Sequence, residues 1–395
     1  MKNFFLKSNI YLYGSNFFNF LFSYLFILLA TNYLAKEDYF QFTGFVSLLN
    51  LFLIPISCLG ISISGLFENK KLNKEKYKTL YSRTLGIFFL SILIVFFINY
   101  FTNLNRFFLI DDKYYISILI ILVVSLLFSL EIADLLGSQE FIKYSITNSI
   151  PFFIRIILLV IILIFLKKEN FIYILLIYLL GYSFLINKYV KRFREFFSIN
   201  LVIKKTELGN LNYIKNLINI SVFVLILNFD VISARFIQPE ISNEYYIASL
   251  FGKIIFFISS ITVLFMYPTN IQKTENNFSK VLIFNTALSL LLMVFYYFFL
   301  EYFIVYLFPN NILEIKMIML ISIFCFFFSI SNILSFKLNI EGLNIHAAYK
   351  IIICAIAIPM LFYLDDIDQL ISFLVFLSFG FALIDGILYI KYKKN

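Results

Sequence analysis

Tryptophan is absent from this chain, histidine occurs once, and cysteine only three times in 395 residues. The one histidine, His346, has no second ligand near it, which argues against metal or acid–base chemistry. Cys58, Cys325 and Cys354 all lie in apolar stretches with no CxxC pair, so they read as small buried hydrophobes and exclude a disulfide framework. No Walker A loop is present, which removes an ATP-driven motor. No cleavable signal peptide is expected, because the first apolar run is too long and lacks a small-residue cleavage pattern. Charge is also scarce, at 14% of residues against 62% hydrophobic. A soluble protein of this length cannot hide that much apolar surface in a core.

What is present is a series of apolar runs of membrane-crossing length. They fall near 10–32, 41–65, 84–105, 115–137, 149–166 and 171–187, then near 216–236, 246–267, 281–300, 317–336, 347–364 and 369–390. Runs of roughly 20 apolar residues need a bilayer as solvent, and inside it the backbone must satisfy its own hydrogen bonds as helix. The expected fold is therefore an all-α polytopic membrane protein with about 12 transmembrane helices. The first two spans are the most diluted, by Asn16, Asn19, Thr31 and Asn50.

The basic residues alternate from loop to loop. Lys2 and Lys7 precede the first span, Lys70 to Arg83 follow the second, and Lys143 follows the fourth. A basic stretch from Lys188 to Lys205 follows the sixth, Lys273 and Lys280 the eighth, Lys337 the tenth, and Lys391, Lys393 and Lys394 close the chain. The intervening loops are short and poorer in excess positive charge: Lys36, Glu37 and Asp38, then Arg106 with Asp111, Asp112 and Lys113, Glu240 with Glu244, and Asp365 and Asp366 with Asp368. By the positive-inside rule both termini are cytoplasmic. The formal net charge of +9 is accounted for by these loops and by anionic headgroups, so nucleic acid is not an expected partner.

The longest cytoplasmic link divides the chain into a six-helix bundle over 1–187, a basic linker over 188–215, and a second six-helix bundle over 216–395. Each half opens with one rhythm: a helix, a short acidic-flanked loop, then a helix opened by aromatics. LATNYLAKEDYFQFTGFVSLLNLF carries it first and ISARFIQPEISNEYYIASLFGKIIF second. Two similar bundles facing each other, with the substrate path at their interface, are a recurrent transporter plan.

A charged side chain at a helix centre costs about 2.5–3.5 kcal/mol on insertion scales, so such residues tend to face protein or a wet cavity. Asp230 sits deep in the seventh span and Arg235 five residues on, about 140° around the helix, a poor intrahelical pair. Asp230 therefore needs another cation, water or a proton, and Arg235 either faces inward or snorkels to headgroups. Lys253, next to Gly252, is the natural cross-helix partner for Asp230 or an attractor of substrate phosphate. Arg155, four residues beyond Pro151, either snorkels or reaches a central cavity. Glu131 and Asp134 share a face and suit a salt bridge to Arg155 or Lys143. Pro268 is expected to mark a break after the eighth span, while Glu301 and Asp385 lie toward helix ends, where solvation suffices.

NFDVISARFIQPEISNEYYIASLFGKIIFFISSITVLFMYP resembles the signature stretch of the bacterial polysaccharide flippases, within the multidrug, oligosaccharidyl-lipid and polysaccharide exporter superfamily. Asn228 and Asp230 match its polar helix, Tyr246 its tyrosine, and Gly252, Lys253 and Pro268 the small-residue helix and its end; Tyr39 matches the first hairpin. The chain departs from the pattern at Pro309 and at the acidic YLDDIDQ turn. The resemblance implies a flippase in the bacterial inner membrane that turns over undecaprenyl-pyrophosphate-linked oligosaccharide, for O-antigen or another surface polysaccharide. Substrate-binding residues would be Arg155, Asp230, Arg235, Lys253 and Asn228, with the cations facing pyrophosphate and Asp230 neutralising them or taking up H+ or Na+. Expected partners are the lipid-linked substrate, membrane lipids and polysaccharide assembly proteins; a monomer with no cofactor and no enzymatic activity is expected. The rivals are a cation-coupled drug or metabolite antiporter of the same superfamily and a membrane glycan polymerase or ligase, the last disfavoured by short outer loops.

Overall fold

A computed structural model describes residues 2–52, 86, 90, 111–137, 140–165, 170–183, 207–266, 275–308, 313–340 and 345–394. The span near 84–105 apart from residues 86 and 90, the basic loops at 70–83 and 188–205, Cys58, Pro268, Pro309 and the side chains of Asp134 and His346 lie outside the described set. Among the described residues there is no strand, and eleven α-helices account for nearly all of the structure. They are α1 (Lys2–Tyr33), α2 (Lys36–Phe52), α3 (Tyr115–Gly137), α4 (Phe141–Leu159), α5 (Phe171–Ser183), α6 (Glu207–Ile237), α7 (Ser242–Met266), α8 (Glu275–Leu307), α9 (Ile315–Ile340), α10 (Ile345–Met360) and α11 (Ile367–Lys394). Six segments among them are long and apolar enough to cross a bilayer. The all-α, multi-pass expectation holds, and the described helices are consistent with about twelve spans.

Boundaries shift where polar residues dilute an apolar run without opposing helix. Hydropathy starts the seventh span at 216, whereas α6 starts at Glu207. Asn210, Asn212 and Lys215 lower the average there but remain compatible with a helical backbone. Likewise α4 begins at Phe141, eight residues before 149. The acidic turn before α11 has a local role: Asp366 Oδ1 accepts from the backbone N–H of Gln369 at 2.7 Å, capping the helix start.

The chain forms two compact units, Met1–Leu217 and Ile218–Asn395. In the first, α1 lies along α4, and α4 and α3 both pack on α5. Lipid tails are as apolar as leucine, so helices associate here through close packing rather than hydrophobic expulsion. Phenylalanine and tyrosine supply that packing. Tyr178 sits edge-on to Phe26 at 5.5 Å and to Phe45 at 5.0 Å, and Phe171 meets Tyr114 at 4.9 Å.

In the second unit, α9 is the central helix, flanked by α7, α8 and α11. Phe223, Phe256, Phe324, Phe328 and Phe381 pack ring to ring around it. Ser322, Ser329, Ser331 and Ser335 of α9 are all fully buried. Gly252 of α7 lies against the Ile321 backbone, where an added Cβ would meet Ile321 Cγ2 at 2.6 Å and its carbonyl carbon at 3.0 Å.

Candidate functional site

The pairing of α6 with α7 follows from the turn between them. Gln238 ends α6 with its N–H on the Ala234 carbonyl, Pro239–Ile241 form one 3-10 turn, and Ser242 Oγ donates to the Pro239 carbonyl. So tight a turn keeps α7 within side-chain reach of α6. Asp230 stands seven residues before the end of α6, about 10 Å along its axis, and Lys253 eleven residues into α7, about 16 Å. Helical side chains lean toward the N-terminus, so the lysine stem reaches back down α7 toward the aspartate level.

The two meet. Lys253 Nζ lies 3.2 Å from Oδ1 and 3.1 Å from Oδ2 of Asp230. Tyr245 Oη donates to Oδ2 at 3.3 Å, and the Val231 N–H to Oδ1 at 2.7 Å. Asp230 is fully buried and Lys253 is 8% exposed. A carboxylate in this setting is tolerable because each oxygen has a donor and the charge has a counter-ion within contact distance.

The other expected residues are placed differently. Asn228 is buried and donates to the Val224 carbonyl of its own helix at 2.7 Å. Arg235 is 2% exposed, so the snorkelling alternative is corrected: this side chain is held inside the protein. The turn after α10 covers that end of α6, with Phe362 packed on Phe229 and Phe236 and the Ile367 N–H donating to Gln238 Oε1.

Arg155 belongs to the first unit, and it too is buried, at 5% exposure. Tyr178 and Tyr182, one turn apart on α5, hold its guanidinium against their rings at 4.3 and 4.0 Å from the centroids, and Phe152 adds a third at 5.2 Å. Gly181 lies on the same face of α5, and a Cβ there would sit 2.7 Å from Arg155 Cγ and 2.9 Å from Nε. The glycine therefore makes the slot. Nε and Nη2 are buried without a hydrogen-bond partner among the described residues. Ring faces stabilise a cation but accept no N–H in the guanidinium plane, so donor capacity is left over. Lys143 is bound instead to Glu140, at 2.6 Å. Just beyond Arg155, the helix widens into a π turn over Val160–Phe165, a distortion frequent at functional sites.

Gly181→Ala is expected to push Arg155 out of the tyrosine slot at a folding cost of roughly 1–3 kcal/mol. A fall in thermal midpoint, together with loss of whatever activity Arg155→Lys also loses, checks it; a variant indistinguishable from wild type would show the slot to be unimportant.

One assignment changes in the second unit and brings in a new residue. Asp385, expected to be solvated near a helix end, is fully buried and ion-paired with Lys350, also fully buried, at 3.0 Å. Lys350 was not singled out by sequence, because it sits near the start of an apolar run, where a lysine reads as an interfacial residue. The structure starts α10 at Ile345, which sets Lys350 more than one turn inside the helix.

No family model matches the chain, and no characterised protein matches it by sequence. By fold the outcome is different. The chain is similar to the crystal structure of MATE in complex with MaD3S, with a TM-score of 0.68 at 13% identity over 98% of this chain and 97% of that one. It is similar to MATE in complex with MaL6, with a TM-score of 0.66 at 12% identity over 98% and 97%. It is also similar to a multidrug resistance MATE family transporter of the MOP superfamily in an outward-facing conformation, with a TM-score of 0.65 at 12% identity over 98% and 95%. The fold is therefore that of MATE transporters, and the molecule is a multi-pass helical membrane protein.

Proposed function

We propose that the chain is a membrane transporter working by alternating access, and that it couples the inward passage of a cation, H+ or Na+, to the export of an organic solute. The fold it shares with MATE transporters supports this first. The observation that carries it is the Asp230–Lys253 pair, buried in α6 and α7 with a tyrosine on one oxygen. An intramembrane carboxylate held by one ammonium is a two-way switch: a proton or Na+ on Asp230 frees Lys253, and an anionic group on Lys253 frees Asp230. A ligand shifts such an equilibrium only by its differential affinity for the two states, and here each occupant favours a different one. No cofactor enters the cycle, and no bond is made or broken.

A second substrate class has its own supporting observation. Arg155 presents unsatisfied N–H groups from a buried aromatic slot, the chemistry that receives a phosphate oxygen. Together with the likeness of NFDVISARF…FMYP to polysaccharide flippases, it supports lipid-linked oligosaccharide as the cargo, carried across a bacterial inner membrane, with Arg155, Asp230, Arg235, Lys253 and Asn228 as the substrate-binding set.

Two measurements test the proposal and separate the cargoes. In proteoliposomes with an imposed H+ or Na+ gradient, an antiporter expels a cationic dye, and the charge-free double variant Asp230→Asn, Lys253→Met does not. In a deletion strain, a flippase leaves lipid-linked glycan on the cytoplasmic face with drug sensitivity unchanged. Absence of both effects would falsify the transport proposal.

A further inference from the structure

Asp385 lies inside α11, and its carboxylate gathers side chains from two other helices. Ser331 and Ser335 of α9 donate to Oδ2 at 2.6 and 2.8 Å, and Tyr349 of α10 donates to Oδ1. Lys350 of α10 places its ammonium 3.0 Å from Oδ2 and donates to the Ser335 hydroxyl. On another side the ammonium meets ring faces, Phe223 at 4.7 Å and Phe381 at 5.8 Å from the centroids. Asp385, Lys350, Ser331 and Ser335 are completely shielded from solvent.

The hydrogen-bonded partners in this cluster all carry oxygen: one carboxylate and three hydroxyls. An all-oxygen set is the ligand chemistry of hard cations, and soft metals would need thiolate or imidazole. The single negative charge fixes the valence, since a buried site tolerates little net charge and one carboxylate balances one positive charge. Aromatic faces add attraction for a weakly hydrated monovalent ion. The cluster thus has the composition of an alkali-cation site, and a cation already occupies it.

We infer that the Asp385 centre is a monovalent-cation site filled by the chain's own Lys350 ammonium, so that free Na+ or K+ has no access to it until the amine is removed. The tether gives the ammonium an effective concentration far above that of dissolved salt, so it wins the competition without a tighter intrinsic fit. The inference is independent of the proposed transport cycle. It also separates the two ion pairs of the second unit: both are buried, but Lys253 keeps 8% of its surface exposed, whereas Lys350 keeps none.

The test uses the full-length purified protein, with thermal unfolding followed by circular dichroism in NaCl, KCl or choline chloride at equal ionic strength. Any wild-type response to Na+ or K+ is expected to survive Asp385→Asn, because the occupied centre contributes none. Lys350→Ala vacates the site, and its midpoint is expected to rise by several degrees in NaCl or KCl over choline, increasing with the logarithm of salt concentration. Which of the two ions acts identifies the cation that fits. The double variant Lys350→Ala, Asp385→Asn is expected to lose the response. If Lys350→Ala does not stay folded in choline, recovery of monodisperse protein by Na+ or K+ reports the same binding. Three results overturn the inference: a wild-type cation response that Asp385→Asn abolishes, a folded Lys350→Ala with no cation response, or a Lys350→Ala that folds in no salt.

Discussion

Asp230→Asn is expected to cost roughly 3–5 kcal/mol of folding stability, the penalty for stranding a buried cation once its partner is removed. The asparagine is nearly isosteric and keeps an acceptor for the Val231 N–H, so packing does not account for the loss. What remains is the ammonium of Lys253, a residue only 8% exposed, facing a neutral amide. Lys253→Met is expected to be damaging as well, leaving a carboxylate held by Tyr245 and Val231 alone. The double variant removes both charges and is expected to recover most of the stability, because replacing a buried pair by well-packed neutral groups is often close to neutral. A double-mutant cycle on thermal midpoints, run in one detergent, measures this directly. Additive single losses would mean that the two residues do not act as a pair.

Gly252→Ala is the second large effect expected. Helices α7 and α9 approach so closely that the new methyl would lie 2.6 Å from Ile321 Cγ2 and 3.0 to 3.1 Å from the Ile321 carbonyl. The isoleucine methyl can turn aside; the backbone cannot. One helix must move away, and α9 is the helix on which α7, α8 and α11 all pack. A loss of about 1–3 kcal/mol follows from overpacking of this kind. The displacement also carries Lys253, the next residue in the chain, away from Asp230. Gly252→Ala should therefore reproduce part of the Lys253→Met phenotype in transport, while Gly380→Ala, whose Cβ meets nothing within 4 Å, should behave as wild type. Equal tolerance at both glycines would refute the close-crossing account.

What the sequence discloses about this molecule follows from what lipid forbids. Spans are legible because a long apolar run has no other stable home, and the 115–137 run corresponds to α3, Tyr115–Gly137. Asp230 is legible for the converse reason: a carboxylate in NISVFVLILNFDVISARF breaks the rule and demands a partner, and Lys253 is the nearest deep cation on the following helix. Asp385 and Lys350 escaped because each lies close enough to a run's end to pass as interfacial, and they stand 35 residues apart with a turn between them. Ser331 and Ser335 carry no charge to mark them. Rotation of each helix is the quantity sequence could not supply. When every face is apolar, periodicity no longer says which side meets protein and which meets lipid, so Arg235 could be assigned to headgroups when it in fact faces inward. Gly181 is inconspicuous for the same reason, since its role exists only against Arg155.

The two buried pairs of the second unit have an electrical consequence. Asp230 with Lys253, and Asp385 with Lys350, each sum to zero, so neither centre presents a net charge to the membrane potential. A voltage acts on uncompensated charge at about 2.3 kcal/mol per elementary charge per 100 mV, and on a neutral pair it acts only through a small dipole. Any reorientation of these centres without bound ions is therefore close to electroneutral. At these two centres the field would have a net charge to act on only if an ion were added to one of them.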